Sequence, residues 1–414
     1  LFTAACSSSA PGEREAAEAP EPTESSAAGE PESESTPPES TLAEPSEAAP
    51  ATAATGVTEP GDTEPGDDDS CPVEILTTRV DIRPDGNRIA EPVDLTRATR
   101  RTIELPHRID WLLPDPAPTG GWFAFDENGR STRIETDGSL SDAAPANTVP
   151  PIIGIDSPFP PDGVFDDPLP DGRMVTFRNI SAVLASPTDR YGHAVLGDAI
   201  EAAAIEWVHD CTGERGRIAI AEPDVIEGIA PMLANLDDDP APEILVTLSN
   251  ASTGARLAAF NLDGSLVGES EPIGRGNRWR NQLAIGPFGP DGGQEIVDVR
   301  TPHIGGTVQA FAVEDGELIL TAASTSDYTS HVLGLRNLEM GIALDANDDF
   351  QLDVVVASAR RDRIVALTRT WETDTGWQVL VEHELAGQIS SNLVTQNSTL
   401  AVGSGSTLNL FEAP

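Results

Sequence analysis

From residue 72 onward the chain alternates short apolar runs with turn formers. Val73-Glu74-Ile75-Leu76, Gly121-Trp122-Phe123-Ala124-Phe125, Met174-Val175-Thr176-Phe177, Arg217-Ile218-Ala219-Ile220 and Leu257-Ala258-Ala259-Phe260 are each the length of one strand, and are rich in β-branched or aromatic residues. Asp85-Gly86, Asn128-Gly129, Asp137-Gly138, Asp263-Gly264 and Asp315-Gly316 punctuate them, and such pairs suit tight hairpins. No stretch holds a 3.6-residue period long enough for an amphipathic helix. Residues 198–207 come nearest, and their place in a repeat frame argues for strand. The pattern predicts an all-β chain: a sandwich, a barrel or a propeller.

One turn recurs. In I-A-L-D-A-N-D-D-F-Q-L-D-V-V-V, residues 342–356, Asp345, Asn347, Asp349 and Asp353 stand at positions 1, 3, 5 and 9 between two apolar runs. Residues 235–246 place Asn235, Asp237, Asp239 and Glu243 in the same frame before Ile244-Leu245-Val246. Alternate side chains of a tight loop converge, so each copy gathers oxygen donors for a hard cation such as Ca²⁺, with the carbonyls of Ala241 and Gln351 completing the set. Residues 287–297 keep the frame but hold only Asp291 and Glu295 as acidic ligands, and 198–208 keep only Asp198 and Glu206, so both are expected to be empty.

A period of about 40 to 60 residues marks an array in which no unit buries its own face. These loops resemble the FG-GAP or VCBS repeats, D-x-[DN]-x-D-G-x-x-[DE], of integrin-α-like β-propellers. Phe350 and Pro240 stand where that family prefers glycine. The resemblance implies a β-propeller with structural Ca²⁺, and it covers 190–414 better than 72–190. Anchored on the loops, blades are drafted at 106–140, 150–185, 191–225, 228–273, 280–325 and 336–386. A last blade, 390–412, takes its fourth strand from residues 73–80 and so leaves no open sheet edge, giving about seven four-stranded blades, with six or eight also compatible with the pattern. Trp111, Trp122, Trp207, Trp371 and Trp377 are assigned to blade cores.

Composition changes the picture at the N-terminus. The net charge is −44 over 414 residues, and every one of the 25 basic residues is Arg. So acidic a surface repels nucleic acid and anionic membranes. Residues 7–70 are Ser, Ala, Pro, Glu and Thr with almost no large apolar side chain, too little to offset ordering entropy; a disordered acidic stalk is expected. Before it, L-F-T-A-A-C resembles the end of a bacterial lipoprotein signal with Cys6 as the lipidated residue. The expected organisation is therefore anchor 1–6, linker 7–70 and propeller 71–414. The chain would be an extracytoplasmic monomer at the cell surface or in the periplasm, touching membrane only through its lipid. Export favours one disulfide, Cys71 with Cys211.

Chemistry is sparse. Arg275, Arg278, Trp279, Arg280 and Asn281 precede the third loop; His303 follows it; His331, Arg336 and Asn337 precede the fourth. Strands entering such loops are innermost in a propeller, so these residues are expected at one channel mouth, with Arg offering bidentate contacts to a carboxylate or sugar acid and Trp279 a stacking face. No nucleophile elbow, H-E-x-x-H or phosphate loop occurs. The sequence thus points to a calcium-stabilised binding, adhesion or scaffold module for a protein or glycan. The alternative is a carbohydrate-active enzyme, a polysaccharide lyase or glycosidase, on the same scaffold.

Overall fold

The computed structural model describes residues 88–115, 117–142, 163–237, 239–325 and 327–414, all within the compact unit Asp67–Pro414. Cys6, the 7–70 linker, Cys71 and the 73–80 run lie outside the described residues. Those described form strands and turns with no α-helix.

The strands are arranged as a β-propeller, and among the described residues there are six blades. Strand β1 (Thr99–Glu104) belongs to the last of them. Blade 1 is the meander β2 (Trp111–Pro114), β3 (Trp122–Phe125), β4 (Ser131–Ile134) and β5 (Leu140–Ser141). Blade 2 is β6 (Val175–Phe177), β7 (Ile180–Thr188), β8 (Glu201–His209) and β9 (Arg215–Ala219). The short β10 (Val225–Ile226) bridges β8 to blade 3, which is β11 (Met232–Ala234), β12 (Glu243–Ser249), β13 (Arg256–Phe260) and β14 (Leu266–Glu269). Blade 4 comprises β15 (Arg280–Gly286), β16 (Glu295–Arg300), β17 (Thr307–Glu314) and β18 (Glu317–Ala323). After β19 (Tyr328–Thr329) comes blade 5: β20 (Gly341–Leu344), β21 (Asp353–Ser358), β22 (Arg363–Arg369) and β23 (Trp377–Glu384). Blade 6 has β24 (Ile389–Gln396), β25 (Thr399–Ser404) and β26 (Thr407–Glu412), with β1 as its outer strand.

The inner strands define the ring. β2 lies against β24, β24 against β20, β20 against β15, β15 against β11 and β11 against β6. The guanidinium of Arg173, just before β6, sits 5.2 Å over the Trp111 ring of β2 and completes the circuit. Middle strands such as β12, E-I-L-V-T-L-S, are buried at every position because neighbouring blades cover both faces. The outer β23 is mostly exposed or half-buried, as a rim strand should be.

Three expectations are corrected here. The drafted blades 150–185 and 191–225 are one, because the 201–209 run pairs with 180–188 in a single long hairpin. The ring closes through Thr99–Glu104, antiparallel to β26 from Thr99↔Glu412 to Glu104↔Thr407. The β-branched, polar stretch T-R-R-T-I-E lacks the apolar density that drew attention to residues 73–80. As an outer strand it needs only one buried face. Trp371 also departs from expectation: it is 70% exposed, whereas Trp111, Trp122, Trp207 and Trp377 are buried.

Candidate functional site

In a four-stranded meander the first and third turns of each blade share one face of the disc. The second turn and the crossover to the next blade share the other. The acidic loops join inner to second strands, so they occupy the first face. His193, His303 and the 324–340 crossover lie on the second.

The two complete loops share a design. Glu243 and Asp353, at position 9, open β12 and β21 and are fully buried. One oxygen of each accepts the backbone N–H of position 2, from Leu236 and from Ala346 (2.9 Å). The other oxygen, Glu243 Oε1 or Asp353 Oδ1, is buried and meets no hydrogen-bond partner. Burial, with the neighbouring loop carboxylates of the same sign, pushes each acid up to about 7. In the first loop, ligand oxygens of Asp237, Asp239 and Glu243 lie within 4.8 Å of one another, and the Asn235 amide caps the Asp239 carbonyl. In the second, Asp345 Oδ1 accepts N–H groups from Asn347, Asp348 and Asp349 at 2.7–3.3 Å, and Oδ2 accepts Phe350 N–H at 2.8 Å. The Asn347 amide donates to Asp349 (2.8 Å), while Asn347 Oδ1 is buried and unpartnered. Phe350 takes a left-handed φ of 68°, a conformation that favours glycine, and is 95% exposed.

The incomplete copies have other employment. Glu295 is held by a buried bidentate pair with Arg369 of blade 5 (2.8 and 2.9 Å). The 198–208 frame is not a loop of this kind: Asp198 sits in a turn on the opposite face and Glu206 lies inside β8, paired with Arg217.

On that opposite face the basic patch divides. Arg280 turns away from the channel to pair with buried Asp298 (2.7 Å), its guanidinium 5.2 Å over Phe311. Asn281 is buried between Ser330 Oγ (2.8 Å) and the Leu338 carbonyl (3.0 Å). Arg336 is a cross-tie: it pairs with Asp171 (2.7 Å) and Asp198 of blade 2, while Gly334 N–H reaches Val195 O (2.9 Å). Buried Arg173 adds Glu339 (2.9 Å) and the Arg336 carbonyl (2.7 Å). The crossover into blade 5 therefore spans the channel mouth to blade 2 as a cap. Asn337 lies buried within it, accepting Glu339 N–H (3.1 Å), whereas Arg275 and Arg278 are exposed.

The expected stacking face is instead the centre of an imidazole cluster. Trp279 is buried, donates to the Glu227 carbonyl (3.0 Å), and lies parallel to His303 (5.9 Å) and edge-on to His331 (5.0 Å). His331 Nε2–H donates to Leu335 O, so its Nδ1 accepts Nε2–H of His303 at 2.7 Å. Burial lowers both imidazoles to about 4, so both are neutral at pH 7. Sequence reasoning missed the neighbours. His193 Nδ1 donates to buried Glu227, which also accepts Ser249 Oγ–H. Tyr191 packs edge-on against His193 (6.0 Å), with its hydroxyl buried and unpartnered. Burial beside Glu227 pushes Glu201 up to about 9. Tyr191 and His193 share the β7–β8 turn and Glu201 opens β8, but Glu227 comes from beyond β10, so no local signal marked the four as one cluster.

Comparison with known proteins yields no matching family model and no matching curated protein. Among solved structures the chain is similar to an auxiliary nutrient binding protein from Bacteroides thetaiotaomicron (8% identity, TM-score 0.36, 78% of this chain and 75% of that one). It is also similar to BamB from Moraxella catarrhalis (11%, TM-score 0.24, 76% and 99%). A third is quinohemoprotein alcohol dehydrogenase ADHIIG from Pseudomonas putida (9%, TM-score 0.30, 77% and 53%). The propeller assignment rests on the strand pairing above.

Proposed function

We propose that this chain is an extracytoplasmic binding module, carried on a lipid at Cys6 and an acidic stalk, whose propeller docks a protein or glycan. The observation that carries the reading is the cap. Ile304, Leu333 and Leu335 are exposed beside the His303–His331 pair, on an otherwise strongly acidic chain. Apolar side chains over a rigid, hydrogen-bonded base are the arrangement of an interaction hot spot. It favours a protein partner over a glycan. A photo-crosslinking residue at position 333 or 304, on intact cells, should capture one defined partner, and one at position 350 on the opposite face should not. Equal capture from both faces, or none from the cap, would end this reading.

Structural Ca²⁺ belongs to the same proposal. The residues fit it: a buried, unpartnered carboxylate oxygen closes each complete loop, and in the first loop three acidic side chains converge. Asn235, Asp237, Asp239 and Glu243 would hold one ion, and Asp345, Asn347, Asp349 and Asp353 a second. The ion would neutralise clustered carboxylates and stiffen the turn. The disulfide between Cys71 and Cys211, which sits in the β8–β9 turn, also remains a proposal.

One observation favours the enzymatic alternative. Glu227 accepts from His193 Nδ1 and so orients the imidazole, and burial keeps Glu201 protonated beside Glu227, an acid set next to a fixed imidazole. Incubation with uronic-acid polymers, scored for new unsaturated ends, tests it. Activity abolished in His193→Ala would support a lyase, and no product would remove it.

A further inference from the structure

Phe350 and Trp371 are the two most exposed large apolar side chains among the described residues, at 95% and 70%. Both belong to blade 5 and to one face of the disc, the face opposite the cap. Phe350 lies in the first turn of the blade, between β20 and β21, and Trp371 in the third, between β22 and β23. The two turns are tied together, because the Gln351 amide donates to the carbonyls of Arg369 (3.1 Å) and of Phe288 in blade 4 (3.4 Å). The buried Arg369 guanidinium, held by Glu295, lies 5.9 Å from the centre of the Trp371 ring. Phe350 N–H is fixed on Asp345 (2.8 Å). Both rings therefore stand on a rigid base.

The fold gains little from either. Phe350 holds a φ that a bulky side chain adopts only at a cost, and its exposed ring returns no burial. Trp371 leaves most of its surface in water. We infer that this face of blade 5 is a stacking platform for a neutral, β-1,4-linked sugar chain, with Phe350 and Trp371 each under one of its rings. It stands apart from docking on the cap. The surroundings select the occupant. Asp348, Asp349, Glu372, Thr373 and Asp374 flank the rings in the two turns and are exposed. Carboxylates are depleted from the centres of protein interfaces, whereas here they border both rings. They also repel anionic lipids and sugar acids. A neutral pyranose with equatorial hydroxyls suits both features. Its faces are C–H surfaces the size of one aromatic ring, drawn to the negative face of the π-system, and its rim hydroxyls donate to carboxylates. The β-1,4 link keeps successive sugars in a flat ribbon, so one chain can meet two aromatic rings at once.

Cellohexaose is the probe, and hexagalacturonate is its anionic counterpart. Titration calorimetry on the full chain in calcium is expected to show cellohexaose binding at millimolar concentration or below. Phe350→Gly and Trp371→Ala should each weaken it about tenfold and leave any response to hexagalacturonate unchanged. Trp371→Phe, which keeps a ring, should retain most of the affinity. Phe350→Gly should lose binding while melting no lower than the parent, which separates a lost ring from a lost fold. Four results would overturn the inference. They are no cellohexaose binding by the folded chain at millimolar concentration, affinity unchanged in both ring variants, hexagalacturonate binding that both variants weaken equally, and self-association or adsorption to phosphatidylcholine vesicles that the parent shows and both variants lose. The last would assign the rings to a second copy or to a lipid surface.

Discussion

Replacing Glu243 by Gln isolates what the acidic loops do. The carboxyl stands at about 7 in the fold against 4.5 in a free chain, because it is buried next to Asp237 and Asp239. A raised carboxyl makes its full contribution to stability below the free-chain value and loses it as pH climbs through the folded value. The interval from 4.5 to about 7 corresponds to about 3 kcal/mol well above pH 7. Solvent around the exposed Asp237 and Asp239 screens part of this, leaving about 1 to 2 kcal/mol. Gln copies the protonated acid and still accepts the Leu236 N–H. In chelator at pH 8, Glu243→Gln should therefore melt about 2 to 4 °C above the parent, at roughly 2 °C per kcal/mol. At pH 5 less than about a third of that gap should remain. Calcium reverses the order. At a free concentration of about 100 times Kd the parent gains about 2.7 kcal/mol, and the variant, short of its buried anionic ligand, gains far less. Scanning calorimetry at pH 5 and 8, with calcium or chelator, reads all four values. A variant less stable than the parent in chelator at pH 8, or one with the parent's full calcium gain, refutes the reasoning.

Other consequences are read more simply. Arg369→Ala should destabilise the propeller by about 3 to 5 kcal/mol in denaturant titration, since it strands buried Glu295, while Arg369→Ala with Glu295→Gln should recover part of the loss. Phe350→Gly should raise stability by about 1 kcal/mol, because glycine adopts the left-handed φ without strain and the exposed ring contributes no burial. His303 and His331, both lowered to about 4, bind fewer protons folded than unfolded, so their contribution is complete above about 6.5 and lost as pH falls toward 4. Converting both to Gln should flatten that part of the pH–stability curve. A chain beginning at residue 106, without the closing strand β1, should expose the β26 edge and elute as oligomers in size-exclusion chromatography.

How much of this was legible in the sequence depended on whether the signal was local. The all-β character, the inner-strand positions of 280–286 and 341–344 and the paired acidic loops all follow from contiguous residues, and each was visible. Blade count was not, because separating one long hairpin at 180–209 from two short blades requires knowing which strands pair. The closing strand was misplaced because T-R-R-T-I-E needs only one buried face and so lacks an apolar signature. Arg280, Asn281 and Arg336 were expected as ligand contacts at a channel mouth, whereas in the fold each is tied to other parts of the chain. That such Arg residues pair with Asp and Glu was the alternative the sequence left open; their particular partners, Asp298, Ser330, Asp171 and Asp198, lie far apart in sequence and carried no local mark. Glu227 lies 34 residues from His193, and that distance concealed its meeting with Tyr191, His193 and Glu201.

Hydrogen exchange of the full chain, with calcium and with chelator, tests most directly whether two acidic turns stiffen this ring. Slower exchange confined to residues 235–246 and 342–356, with 287–297 unchanged because Glu295 is held by Arg369, is the predicted result. Identical exchange at 235–246 and 342–356 under both conditions would contradict it.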